Sequence, residues 1–271
     1  HLDAMQGVSF PDINSSPTAQ TVVPPCKNTP VKGLPEVPGA VDPMKALCMM
    51  PPRPMLHCTS KDGTEQNQSC KDEGPLTLER SKTVDEEISA KVIDFLDRND
   101  PDKTNKPFFV WYNPARMHVT TVLSDKYADM LGVKGGKDWG PNEAGMKQMD
   151  DNIGEVLSKL EAMGQLDNTI VVFTADHGDM LGSQGMMRKQ KPSDESARVP
   201  MLMRWPAGLG KKGRGLDAPI NSEDLMPTLL GFAGLTVPGS VEGLDYSGYA
   251  RGGRSGGFRT AAGRLGKRPS V

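Results

Sequence analysis

Apolar positions are spread unevenly along the 271-residue chain. Residues 1–80 are rich in Pro, Ser, Thr, Asn and Lys and sustain no helical or strand period. The run Met49-Met50-Pro51-Pro52-Arg53-Pro54 excludes both a helix and a central strand, because proline lacks a backbone donor and fixes φ. This region is expected to be a long irregular excursion, wrapped over a folded body or partly disordered. From Thr83 the pattern changes. Thr83-Val84-Asp85-Glu86 has the form of a capping box, and Ile88, Val92, Ile93, Phe95 and Leu96 follow mostly on one helical face, with a stop near Asn99-Asp100-Pro101. Phe108-Phe109-Val110-Trp111-Tyr112, bounded by prolines, predicts a buried strand.

Met146, Met149, Ile153, Val156, Leu157, Leu160 and Met163 predict an amphipathic helix over residues 142–164. Its polar face holds Lys147, Asp150, Asp151 and Lys159, and Gly164 ends it. Ile170-Val171-Val172-Phe173 and Val199–Trp205 predict two further strands. Asn221–Pro227 opens another helix, with its proline in the first turn, running to Gly234. Helix, short turn, apolar strand is the rhythm of an α/β fold with a parallel sheet covered by helices. The expected organisation is an irregular Pro-rich region at 1–80, an α/β core at 81–248 and a disordered Gly/Arg-rich tail at 249–271, without internal repeats.

Composition narrows the partners. A formal net charge of −2, from 32 basic and 34 acidic residues, gives no basic face for nucleic acid or an anionic membrane. No run of about 18 apolar residues predicts a membrane span, and no signal peptide is visible at His1. The four cysteines, Cys26, Cys48, Cys58 and Cys70, match no zinc-finger spacing. They are compatible with two disulfides outside the cytoplasm or with four free thiols.

In open α/β sheets, ligands bind beyond the carboxyl ends of strands. Phe173-Thr174-Ala175-Asp176-His177-Gly178-Asp179 places an oxygen ligand, Asp176, and an imidazole, His177, at such an end, with Gly178 permitting a sharp turn. The competing reading is a helix-capping Asp followed by a surface His. A glycine-punctuated loop, 182–189, follows, and Lys189 can offer an ammonium to an anionic oxygen, or be a solvated lysine beside Lys191. His118, just past the Phe108–Tyr112 strand and with Arg116 nearby, can donate to a leaving group or an anionic substrate.

Several motifs then fall in order. Asp176-His177-Gly178-Asp179-Met180-Leu181-Gly182, Lys189 thirteen positions after Asp176, Glu195-Ser196-Ala197-Arg198-Val199-Pro200, Asp224–Leu230 and Trp111–His118 together resemble the sulfatase family, nearest to bacterial arylsulfatases. The resemblance covers roughly residues 83–247. It implies an alkaline-phosphatase-like α/β fold, with a mixed, mostly parallel sheet flanked by helices. It also implies hydrolysis of small-molecule or glycan sulfate esters at a site with one divalent cation, usually calcium, in a periplasmic or secreted setting. Carried over to this sequence, Asp176 and His177 bind the cation, Lys189 a sulfate oxygen, and His118 the sulfate or leaving group, with Arg116 beside it among the substrate-binding residues.

The sequence departs from the family in three ways. None of the four cysteines stands in the Cys/Ser-x-Pro/Ala-x-Arg motif from which the family's formylglycine nucleophile is made. The paired aspartates that open the family fold have no counterpart near residue 1. Gln184 stands where the related loop commonly carries His. The chain is therefore expected to be a fragment, incomplete on the N-terminal side of the fold and without sulfate-ester turnover alone. Two alternatives remain at this point: a phosphodiesterase or phosphonate monoester hydrolase of the same superfamily, and a non-catalytic anion-binding derivative.

Overall fold

The structure, a computed structural model, describes residues 2–4, 54–61, 63, 65–118, 121–132 and 138–252. The chain divides into two compact units, residues 1–163 and 164–271.

In the first unit, β1 (Leu2–Ala4), β2 (Pro54–Ser60) and β3 (Gln68–Pro75) form an antiparallel sheet in that order. Cys58 lies directly opposite Cys70 in the β2–β3 pair, and the two form a disulfide. The expectation of an irregular region therefore fails over 54–75. The hairpin is held by its ladder and a cross-link, with little apolar burial, so hydropathy gave no sign of it. Cys26, Cys48 and the Met49–Arg53 part of the proline run lie outside the described residues.

The core of this unit lies between α1 (Val84–Arg98) and α2 (Pro141–Ala162), which pack against each other. Val84, Ile88, Val92 and Leu96, four residues apart, form the buried stripe of α1, and Ala144, Met149 and Leu160 answer from α2. A fully buried side chain of this kind contributes about 1.5–3 kcal/mol. Thr83 makes no capping bond. Glu86, its expected box partner, instead accepts a hydrogen bond from Gln148 Nε2 of α2 at 2.6 Å. Asn99 ends α1, and Gly164, at φ +70°, follows the last turn of α2 as expected.

The segment 107–114 forms no regular element and pairs with no strand among the described residues. Phe108, Val110 and Tyr112 are half-buried, whereas Phe109 and Trp111 are 61% and 73% exposed. The Tyr112 hydroxyl shares a 2.8 Å hydrogen bond with Ser89 of α1, and burial raises its pKa. Burial alternates along the run as in a one-sided strand, and Tyr112 ties it to α1. On the surface of α2, Asp151 accepts hydrogen bonds from Tyr127 Oη (2.7 Å), from Lys126 Nζ (3.3 Å) and from Lys147 Nζ. The Lys147 and Tyr127 donors lower its pKa to about 2.

In the second unit, β4 (Val171–Thr174) pairs with β5 (Met201–Arg204), with Phe173 opposite Leu202. Both strands form where the sequence places them, but the pairing is antiparallel. Every pairing between named strands in the described residues is antiparallel, where a mostly parallel sheet was expected. Phe173 and Leu202 are exposed, so this sheet lacks the cover on both faces that parallel sheets need.

Helix α3 (Ser222–Phe232) opens with the Asp224 carboxylate accepting the Asn221 N–H at 2.8 Å. Asp224 is fully buried, and its other oxygen accepts the Leu244 N–H at 2.8 Å. Pro227 stands in the second turn of α3, not in the first as expected. It leaves the Glu223 carbonyl without its intrahelical donor. Gly243 lies against that carbonyl, and a Cβ there would stand 1.9 Å from the oxygen. Phe232 meets Trp205 edge-to-face at 5.7 Å, and the Arg251 guanidinium stacks over both rings at 5.3 and 5.4 Å. Ordered structure thus runs past the expected tail boundary at 249. Residues 253–271 lie outside the described residues.

Two expectations follow from this packing. Gly243→Ala forces the Glu223 carbonyl aside, and overpacking of this kind costs about 1–3 kcal/mol. Denaturant unfolding should show that loss with an unchanged m-value. The second concerns acid. The Lys147 and Tyr127 contacts hold the Asp151 carboxyl at about 2 in the folded chain, below the ordinary aspartate value of about 3.9 that it regains when unfolded. Its contribution is therefore complete above about pH 4 and is lost as pH falls through about 2. The stability difference between the parent chain and Asp151→Asn should shrink from pH 4 to pH 2; a constant difference would contradict this assignment.

Candidate active site

β4 ends at Thr174, and the chain turns through Asp176 and His177 without entering an α-helix, so Asp176 is not a helix cap. Asp176 Oδ1 accepts the His177 backbone N–H at 3.0 Å, closing the turn. His177 Nδ1 lies 2.8 Å from the Gly178 carbonyl. A carbonyl can only accept, so the hydrogen-bond network assigns the proton to Nδ1. Nε2 faces Asp176 Oδ2 at 3.4 Å. In the neutral imidazole two lone pairs then converge, an arrangement that a cation, or a proton on the ring, relieves. The Asp176 side chain is 86% exposed.

Gly178 anchors this corner. Its N–H donates to the Ser196 carbonyl at 2.8 Å, and a Cβ would stand 2.0 Å from the Glu195 carbonyl. The loop beyond it folds back on itself: the Met180 N–H donates to the Arg188 carbonyl (3.1 Å), and the Gly182 N–H to the Met186 carbonyl (2.9 Å). Met180 is fully buried beneath it. Leu181, Gln184, Arg188 and Gln190 all take positive φ, so the residues on both sides of Lys189 hold left-handed backbone, a costly state that clusters at functional sites. The returning segment is fixed where the Lys191 N–H donates to Ser196 Oγ at 3.1 Å. Buried Ser196 therefore holds the foot of the Asp176–His177 corner with its carbonyl and the foot of Lys189 with its hydroxyl. Lys189 is half-buried and forms no ion pair among the described residues.

His118 and Arg116 belong to the first unit. The Arg116 guanidinium, expected beside the substrate, is buried against Asp85 of α1. Arg116 Nη1 donates to Asp85 Oδ2 at 2.7 Å, while Nη2 donates to the Lys82 and Val122 carbonyls at 2.6 and 2.7 Å. Asp85, fully buried, also accepts the Ala115 and Arg116 backbone N–H groups at 2.6 and 3.2 Å. Both terminal nitrogens of Arg116 are thus engaged inside the protein. His118 follows two residues on, half-buried, and its carbonyl accepts Thr121 Oγ1 at 2.9 Å. Gly145 of α2 leaves room for this segment: a Cβ there would stand 2.9 Å from Thr121 Cγ2 and 3.1 Å from Met117 Sδ. Asp85 escaped the sequence reading because an acidic residue in a helix's first turn is ordinary; only its complete burial marks it.

Whether these residues fit a divalent cation turns on the donor set. Asp176 supplies a solvent-facing carboxylate and His177 a lone pair fixed by its own hydrogen bond, which fits two ligands of one ion. Calcium takes six or more oxygens, and among the described residues no three His, Cys, Asp or Glu side chains cluster as a metal site. The corner by itself thus offers two ligands of the six or more that calcium takes.

Comparison with known proteins places this geometry in a family. The Sulfatase family model matches residues 43–235. An arylsulfatase of Clostridium perfringens is 35% identical over 189 residues, covering 56% of this chain and 39% of that protein. An ulvan-active sulfatase of Formosa agariphila is 43% identical over 100 residues, covering 36% of this chain and 20% of that protein. The chain thus spans well under half the length of these relatives. The crystal structure of a putative sulfatase from Bacteroides fragilis superposes with a TM-score of 0.55 at 22% identity, over 73% of this chain and 46% of that one, and supports the alkaline-phosphatase-like α/β fold. A match across most of the chain, on the residues that build the Asp176–His177 corner and the Lys189 return, establishes that this chain belongs to the sulfatase family.

Proposed function

We propose that this chain carries the cation- and sulfate-binding region of a sulfuric ester hydrolase. The observation that carries the reading is the double tether at Ser196, which joins the Asp176–His177 corner to the returning segment of Lys189 within one unit. Asp176 and His177 would hold one divalent cation, calcium in the family, whose charge offsets that of the sulfate oxygens. The Lys189 ammonium, unpaired with any carboxylate among the described residues, binds a sulfate oxygen. For His118, in the first unit, the sequence resemblance supports a role as donor to the sulfate or the leaving oxygen, an atom that gains negative charge. None of the four cysteines stands in the formylglycine motif, so no step is assigned through that group. The substrate class is a small-molecule or glycan sulfate ester, in keeping with the names of the arylsulfatase and ulvan-active relatives. A periplasmic or secreted location accords with the Cys58–Cys70 disulfide.

Calorimetric titration of the purified chain, first with calcium and then with sulfate, tests the reading. Calcium should bind weakly, on the order of 10⁻⁴–10⁻³ M as for sites with few ligands, and this binding should disappear in Asp176→Ala. In Lys189→Ala, sulfate affinity should fall roughly 10- to 100-fold, the loss of about 1.5–3 kcal/mol for one charge-assisted hydrogen bond, with calcium affinity unchanged. Equal sulfate binding by the parent chain and Lys189→Ala would sink the proposal, and phosphate binding without sulfate binding would move it towards phosphoryl chemistry.

The corner has its own test. Gly178→Ala drives a methyl group into the Glu195 carbonyl, so calcium binding should vanish although Asp176 and His177 are both retained. Calcium binding as tight as the parent's in this variant would mean that the corner tolerates displacement.

A further inference from the structure

We infer that Asp85 and Arg116 act together as a positioning unit for the His118 imidazole, and that Arg116 is not a substrate ligand. The carboxylate of Asp85 is fully buried and receives three hydrogen bonds, all from Ala115 and Arg116. Two of them fix the backbone two and three residues before His118. The third fixes the guanidinium, whose other terminal nitrogen reaches across the loop to the Val122 carbonyl, four residues after His118. Arg116 thereby closes the loop 116–122 on itself, with His118 inside it. The same nitrogen donates to the Lys82 carbonyl, just before α1, which ties the closed loop to the helix.

Two further contacts act on this loop. Gln148, fully buried on α2, donates to the same Lys82 carbonyl at 2.9 Å and accepts the Ser124 N–H at 3.3 Å. The absent side chain of Gly145 accommodates Thr121 and Met117. The loop is thus held from α1 through charge and from α2 through shape. Two charges are removed from water to do this, and a hydrophobic pair of similar volume is often no less stable than a buried ion pair. What such a pair could not supply is the directed reach of one planar cation to a carboxylate and two carbonyls at once. That His118 then meets a sulfate ester rests on the proposed function; that its loop is fixed by this pair does not.

The test uses the full 271-residue chain and its imidazole NMR signals. Only four histidines are present, and His118→Gln assigns the one of interest. Arg116→Lys keeps the charge opposite Asp85, but a single ammonium cannot bridge both carbonyls. A second variant, Asp85→Leu with Arg116→Met, replaces the pair by apolar side chains and guards against misfolding of the first. In either, the His118 signal should broaden or split, and amide exchange over 115–122 should quicken roughly tenfold or more, while the His57 and His177 signals stay as in the parent chain. An unchanged His118 signal and unchanged exchange in a folded variant would overturn the inference. So would a fall in sulfate affinity with the His118 signal intact, which would make Arg116 a direct ligand. Absence of sulfate binding by the parent chain counts against the proposed function alone, because the NMR and exchange comparison is read without substrate.

Discussion

A carboxylate with no exposed surface is an obligation on everything around it. Asp85 sits in the first turn of α1, within the stripe that packs on α2. It is tolerable there only because every hydrogen bond it loses to water is replaced by a protein donor. The donors come from a loop thirty residues away, so helix packing and loop conformation cannot be satisfied separately. The first unit is in this sense organised from its least hydrophobic buried atoms. The apolar stripe supplies most of the stabilisation, but it would accept many loop conformations, and the carboxylate accepts few.

The second unit is constrained by exclusion. At Gly178, Gly208 and Gly243 the space for a Cβ is already filled, by the Glu195 carbonyl, the Trp205 ring and the Glu223 carbonyl respectively. At Gly178 and Gly243 one segment lies directly on the backbone of another with no side chain between, and at Gly208 the turn closes on the Trp205 ring. Two of them close around groups that need cover: the turn after β4, and a carbonyl that Pro227 deprives of its donor. Asp224 repeats the device seen in the first unit, since one buried carboxylate caps its own helix and holds the Leu244 segment across it.

Much of the fold was legible in the sequence. Helical spacing located α1, α2 and α3, apolar runs located β4 and β5, and Gly164 and Gly234 ended their helices at positive φ. The failures have distinct causes. Thr83-x-x-Glu86 had the capping pattern, but Gln148 competed for the Glu86 side chain, and a partner 62 residues away leaves no local mark. The β2–β3 hairpin carries little apolar alternation, and four cysteines do not by themselves reveal their pairing. The Phe108–Tyr112 run was read as buried because its residues are apolar, yet only alternate ones find cover. Of the candidate site, the Asp176–His177 turn and the Lys189 return were recognisable because contiguous motif residues fold locally. The ion pair of Arg116 with Asp85 was not legible, because the two residues are close in space and remote in sequence.

The tethers at Ser196 have a bearing on how such a loop can diversify. Gly178 and Lys191 are held to the same buried residue, and the Met180–Arg188 pair closes the neck between them. The tip from Leu181 to Met187 hangs from that neck as an independent ring. Doubling the length of a flexible loop adds only about 0.6 kcal/mol of closure entropy. Residues can therefore be inserted or exchanged at the tip at little energetic cost, with the turn at one foot and the lysine at the other staying where they are. The geometry separates a part that must be kept from a part that is free to vary.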